Sequence, residues 1–246
     1  MWKAFWSHPN IRITYDTHND HAKVYVIDDR ILLLTGMNIA NEYHSEWHDY
    51  LVELRGGRFA EHYLTHGEVR LPPGQVQLVM NTERRKDIRK GITDIIRRAS
   101  HSLVLEHSYV SDPAVLDLLV ARTKQGIDVT LIVPARPDFH HYSNMQSVAK
   151  LIVEGAPTKT HIFIYPGMVH GKIILADRSV ACIGSANLMT NSLDEMGELN
   201  VRIEGRNHPA IQKLREVLGE DLLKSTPLTS PPRFAWVGRW LAWLKL

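Results

Sequence analysis

The chain has 246 residues, 44% of them hydrophobic and 23% charged, which is enough apolar material for a sizeable core and excludes disorder throughout. A formal net charge of only +2 excludes a globally basic surface of the kind that gathers nucleic acid, although 14 histidines would add positive charge below about pH 6. The single cysteine, Cys182, excludes a disulfide framework, no apolar run approaches the ~20 residues of a spanning helix, and Met1 to Trp6 carry no signal-peptide pattern.

Alternation predicts strands over 11–15 and 21–27; in the second, Ala22, Val24 and Val26 point one way and His21, Lys23 and Tyr25 the other. A short apolar strand over 31–34 ends at Thr35-Gly36, and a strand over 49–55 stops at Gly56-Gly57. A short helix over about 58–65 leads to a boundary at Leu71-Pro72-Pro73-Gly74. Beyond it, strands over 76–80, 103–107, 129–133 and 162–165 alternate with helices over about 84–99, after Ser111-Asp112-Pro113, and over about 143–153. Such alternation implies an α/β fold with a largely central sheet. A helix over 209–224 precedes a polar stretch and a Trp-rich end, in which Trp236, Trp240 and Trp243 share one face and Arg239 and Lys245 lie off it. That pattern suits a lipid headgroup layer.

One offset of 149 residues relates His21 to His170, Lys23 to Lys172, Asp28 to Asp177, Asn38 to Asn187, and the acid Asp49 to the acid Glu198. Five polar matches at one ungapped offset indicate an internal repeat. The same offset places the counterparts of 76–150 before Met1, so the first copy is expected to lack its N-terminal half and to expose a sheet edge. The expected units are 1–71, a truncated first lobe; 75–207, a second lobe; and 208–246, C-terminal helices.

The repeated residues are those that handle phosphate and protons. Lys23 and Lys172 can neutralise a phosphodiester, and Asn38 and Asn187 can donate to its oxygens; Ser185, small and next to Gly184, lets backbone approach it. One histidine can attack phosphorus while the other serves as general acid and then base. Each needs a partner on its second ring nitrogen, for which Asp49 and Glu198 are the natural candidates. Asp28 and Asp177 fall at strand ends and are expected to pair with a neighbouring basic side chain. His44-x3-His48 with Glu46 is read as loop rather than as a zinc site, so neither metal nor cofactor is expected.

The pattern His-x-Lys-x4-Asp-x6-Gly-Ser-x-Asn, read at His170 to Asn187, resembles the signature of the phospholipase D superfamily; the first copy has Thr35-Gly36 in place of Gly-Ser. Tyr109 and Asp112 before a helix, Val133-Pro134 with Asp138, and the Trp-rich end are most similar to bacterial cardiolipin synthases. The resemblance implies two repeated α/β lobes with the active site at their pseudo-twofold interface, and a metal-free phosphohistidine route. Within it the catalytic set is His21, His170, Lys23, Lys172, Asp28, Asp177, Asp49 and Glu198, with His21 more often the nucleophile and His170 the acid/base. The function so implied is transfer of a phosphatidyl group between phosphatidylglycerol-like lipids. Hydrolysis of phospholipid or nucleic acid, and a truncated remnant that only binds lipid or a partner, are the alternatives. The expected partners are anionic phospholipid, a membrane surface met by the tail, and either a second copy or a missing N-terminal segment completing the first lobe. The expected place is the cytoplasmic face of a bacterial inner membrane, or the cytoplasm.

Overall fold

The computed structural model describes residues 8–15 and 18–233; the Trp-rich segment lies outside them. Two sheets are formed. The first is a three-stranded antiparallel meander of β1 (Lys23–Ile27), β2 (Ile31–Thr35) and β3 (Leu51–Arg55), with α1 (Asn41–Ser45) before β3 and α2 (Gly57–Leu64) after it. The second has eight strands: β4 (Val76–Asn81), β5 (Ser102–His107), β6 (Asp128–Pro134), β7 (Thr160–Tyr165), β8 (Lys172–Ala176), β9 (Val180–Gly184), β10 (Glu198–Glu204) and β11 (Thr226–Pro227), in the order β11-β7-β6-β5-β8-β9-β10-β4. Its helices are α3 (Ile88–Arg98), α4 (Pro113–Lys124), α5 (His141–Glu154), α6 (Thr190–Asp194) and α7 (Pro209–Lys224).

Adding 149 to the bounds of β1, β2 and α1 gives those of β8, β9 and α6. The likeness extends to the backbone. Asp28 and Asp29 have φ of 50° and 52°, and Asp177 and Arg178 have 50° and 56°. Two successive left-handed residues make the type I′ turn that matches strand twist, closed by Arg30 N donating to Ile27 O and Ser179 N to Ala176 O, both at 3.0 Å.

Period-two alternation gives the second sheet two apolar faces. Ile174, Ala176 and Cys182 face a core with Ile92 and Ile96 of α3, Leu119 of α4 and Leu151 of α5. Ile173, Leu175, Ile183 and Val201 face the other way, onto Leu32, Leu34 and Leu54 of the first sheet and Ile211, Leu214 and Leu218 of α7. Among the described residues the first sheet is therefore covered on one side only; Tyr25, Ile27 and Leu51 are exposed on the other.

Two expectations fail locally. Residues 11–15 form no strand and are almost wholly exposed. Their offset counterpart is β7, which is held by β6 on one side and β11 on the other; a lone alternating segment has no ladder to join. The helix expected from 84 starts at Ile88, because Asn81 Oδ1 accepts from Ile88 N at 3.1 Å and residues 82–85 close a turn first.

Candidate active site

The halves are stitched together by two short parallel bridges, Asp20 with Gly197 and His48 with Val169. The offset exchanges one for the other, so the backbone has a local pseudo-twofold between them. His21 N donates to Gly197 O at 2.8 Å, and His170 N donates to His48 O at 2.6 Å. These bonds fix the residue before each motif strand, so each His and its Lys, two apart, leave one face. Lys23 Nζ donates back to His21 O at 2.7 Å, and Lys172 Nζ to His170 O at 2.6 Å.

Across this seam the acids are exchanged. His21 Nδ1 lies 3.0 Å from Glu198 Oε1, and His170 Nδ1 lies 2.6 Å from Asp49 Oδ2. Carboxylates only accept, so in both rings Nδ1 carries the proton and Nε2 is left for chemistry. The structure thus brings together His21, His170, Lys23, Lys172, Asp49 and Glu198.

The two acids are set differently. Glu198 accepts from Ser185 Oγ and Ser192 Oγ, both at 2.5 Å. At the offset positions the first copy has Gly36 and Tyr43 instead. Asp49 accepts instead from Tyr50 N at 2.7 Å. A Cβ on Gly36 would lie 2.9 Å from Asp49 Oδ2 and 3.2 Å from Lys172 Nζ, so a side chain there would crowd both groups, which come from opposite halves.

Burial sets the protonation. It pushes the Lys172 ammonium down to about 8, against the pull of Asp49 and Glu198. Lys23 is also lowered, chiefly by burial. Desolvation, joined by the Lys172 charge, lowers His170 against the pull of Asp49, which favours a neutral imidazole; Lys172 Nζ lies 3.1 Å from its Nε2.

Asp177 is not brought to the site. Its carboxylate accepts from Ser100 N, His101 N and Ser102 N at 2.7–2.9 Å, at the far end of β8 from Lys172. The expected basic partner is replaced by backbone amides, which hold its carboxyl below the usual range. Asp28 is exposed. Ser185 is turned onto Glu198. Asn187 N donates to Ser192 Oγ at 2.9 Å, and its buried Oδ1 has no partner among the described residues. Asn38 Nδ2 donates to Tyr43 OH at 3.0 Å.

Several more residues complete the site, of which Ser108, Tyr43 and Trp47 are not read from the sequence. Ser108 Oγ accepts from Lys172 Nζ at 3.1 Å. Tyr43, Trp47 and Tyr109 ring His170, with centroids 5.3, 5.6 and 6.4 Å away. Tyr109 OH donates to Asp138, and its ring meets that of His140 edge-on at 5.1 Å. The offset points to position 43 only through its counterpart Ser192, a residue of unlike chemistry.

A family model described as "Cardiolipin synthase, PLD-like domain" matches residues 92–222. The major cardiolipin synthase ClsA of Bacillus subtilis (strain 168) is 27% identical over 253 residues, covering 89% of this chain and 51% of that protein. A cardiolipin synthase of Clostridium perfringens (strain 13 / Type A) is 26% identical over 266 residues, covering 93% and 54%. The chain therefore spans about half the length of the curated relatives it matches. Among solved structures, phosphatidylserine synthase of Haemophilus influenzae Rd KW20 superposes with a TM-score of 0.70 at 13% identity, covering 89% of this chain and 65% of that one. The phospholipase D family member Nuc from Salmonella typhimurium gives 0.55 at 18% identity, covering 63% and 98%. At such identities the likeness is one of fold.

Proposed function

The chain belongs to the cardiolipin synthase-type phospholipase D-like family, and we propose that it is a phosphatidyltransferase acting on phosphatidylglycerol-like lipids through a phosphohistidine. The observation that carries this reading is the exchange of acids, His21 with Glu198 and His170 with Asp49, which gives two oriented imidazoles next to two lysines. In the first half-reaction Nε2 of His21 attacks phosphorus and a P–N bond forms. The P–O bond to the alcohol breaks, and His170, neutral in the free chain but protonated from solvent at Nε2 once the anionic phosphodiester lies beside it, gives that proton to the leaving oxygen. In the second, His170 takes the proton of the incoming hydroxyl, whose oxygen attacks phosphorus, and the P–N bond breaks. Lys23 and Lys172 offset the charge on the phosphoryl oxygens throughout, with Asn38 and Asn187 as further donors.

The assignment of His21 as nucleophile is supported by its access: its side chain is 28% exposed, against 6% for His170. The aromatic wall around His170 is the natural seat of the alcohol that this residue protonates. Domain boundaries near 71–75 and 207, completion of the first lobe by another segment or copy, and attachment of the Trp-rich end to a membrane surface belong to the same proposal. Among the described residues no helix is long and apolar enough to cross a membrane. The open outer face of the first sheet favours a second reading, hydrolysis, since it leaves water a route to the site.

The test is to incubate the purified chain with phosphatidylglycerol in mixed micelles and resolve the lipid products, with His170→Ala as control. Cardiolipin plus glycerol, lost in the variant, supports transfer. Phosphatidic acid makes water the acceptor. No product overturns catalysis by this chain on that donor.

A further inference from the structure

Behind the active site lies a second cluster that phosphoryl transfer does not use. His48, just before β3, Glu106 in β5 and Asp221 in α7 bring one side-chain donor atom each to within 4.8 Å of one another. Tyr50 OH sits among them, 2.8 Å from Glu106 Oε1, 3.0 Å from His48 Nε2 and 3.2 Å from Asp221 Oδ2. His48 Nε2 and Asp221 Oδ2 are 2.9 Å apart. We propose that these four side chains form a binding site for one Zn2+ ion, which braces segment 48–50 against β5 and α7.

The charges argue for a cation. Glu106 is wholly buried, as is the Asp221 side chain, and Glu106 Oε2 has no partner among the described residues. Two adjacent carboxylates out of water demand compensation. Within the cluster they have one imidazole, and beside it Lys224, which is half exposed and 3.4 Å from Asp221 Oδ1. A divalent ion with a neutral imidazole and a phenol balances both acids.

The geometry argues for zinc. Four donors around an ion at Zn–N and Zn–O lengths near 2 Å form a tetrahedron with edges of about 3.3 Å. Four of the six edges here measure 2.8, 2.9, 3.0 and 3.2 Å, so an ion needs the cluster to open by a few tenths of an ångström. One nitrogen and three oxygens suit Zn2+ better than Ca2+ or Mg2+, which take more oxygens and keep waters. The His48 ring is already oriented, stacked on Tyr165 at 5.7 Å, and at 26% side-chain exposure it gives the ion a way in. The site is structural: its link to chemistry runs through His48 O, which accepts from His170 N, and through Asp49 between two of its members.

The test uses the purified whole chain, free of any histidine tag, stripped with EDTA and reloaded with Zn2+ or Co2+. About one tightly held ion per chain is expected, with a rise in Tm on Zn2+ addition and the visible absorption of four-coordinate Co2+. Glu106→Gln, which keeps the acceptor for Tyr50, should fold yet lose the Co2+ bands and the Tm rise; His44→Asn, at an exposed histidine outside the cluster, should keep both. Wild-type chain without a stoichiometric ion overturns the site, and so does Glu106→Gln binding as wild type does. If Glu106→Gln fails to fold, His48→Gln replaces it: loss of the bands and of the Tm rise supports the site, and binding as in wild type overturns it.

Discussion

Asp49 holds His170, though the two stand on opposite halves of the chain, 2.6 Å apart at Oδ2 and Nδ1. Glu198 holds His21 in the same crossed sense. Asp49→Asn keeps the shape but can present N–H instead of an acceptor, so it favours the wrong tautomer of His170. A fall in kcat on the order of 10²-fold is expected, with KM little changed, in a steady-state comparison with wild type. An equal loss in KM alone would place Asp49 in substrate binding instead.

Lys172 gives a pH dependence. In the free protein burial brings its ammonium down to about 8, so kcat/KM is expected to fall as pH rises through about 8. A bound phosphodiester favours the charged form, so the limb in kcat should lie at higher pH. Lys172→Met should lower kcat/KM on the order of 10²-fold across the range and remove that limb.

His107 gives a stability dependence. It is buried, with both ring nitrogens unpartnered among the described residues, and burial pushes it down to about 3 from 6.5. Between those values the unfolded chain binds the proton and the folded chain does not, so stability rises with pH there and is lost as pH falls from 6.5 toward 3. The loss is up to about 5 kcal/mol for this one group. Urea unfolding at a series of pH values should show His107→Leu flatter than wild type over that window.

Gly36 separates activity from stability. In Gly36→Ala the new methyl crowds Asp49 Oδ2 and Lys172 Nζ, both side-chain atoms that can yield. The variant should unfold within about 1 kcal/mol of wild type while losing most of its turnover, because the Asp49–His170 bond is displaced. A large drop in Tm with activity retained would contradict this.

The offset of 149 is legible because each copy keeps its own local spacing: strand, turn, strand and short helix fall at matched positions. What it cannot show is which acid serves which histidine. A separation of 28 residues is compatible with pairing inside a copy or across the seam, and only the parallel bridges at Asp20 and His48 decide it. The alternation over 11–15 reads as a strand because period two reports a preference, whereas a strand exists only beside a neighbour. Asp177 looks in sequence like half of an ion pair; backbone amides leave no trace in side-chain patterns. The aromatic wall is partly hidden for a related reason, since Tyr43 occupies the place where the other copy has Ser192.

The two bridges have a consequence for inheritance. Because each half lends its acid to the other's histidine, neither is a self-sufficient unit that could be shuffled into another protein and keep its chemistry. A change at position 49 is felt at position 170, and one at 198 is felt at 21, so the halves are bound to diverge in step however far their surfaces drift apart.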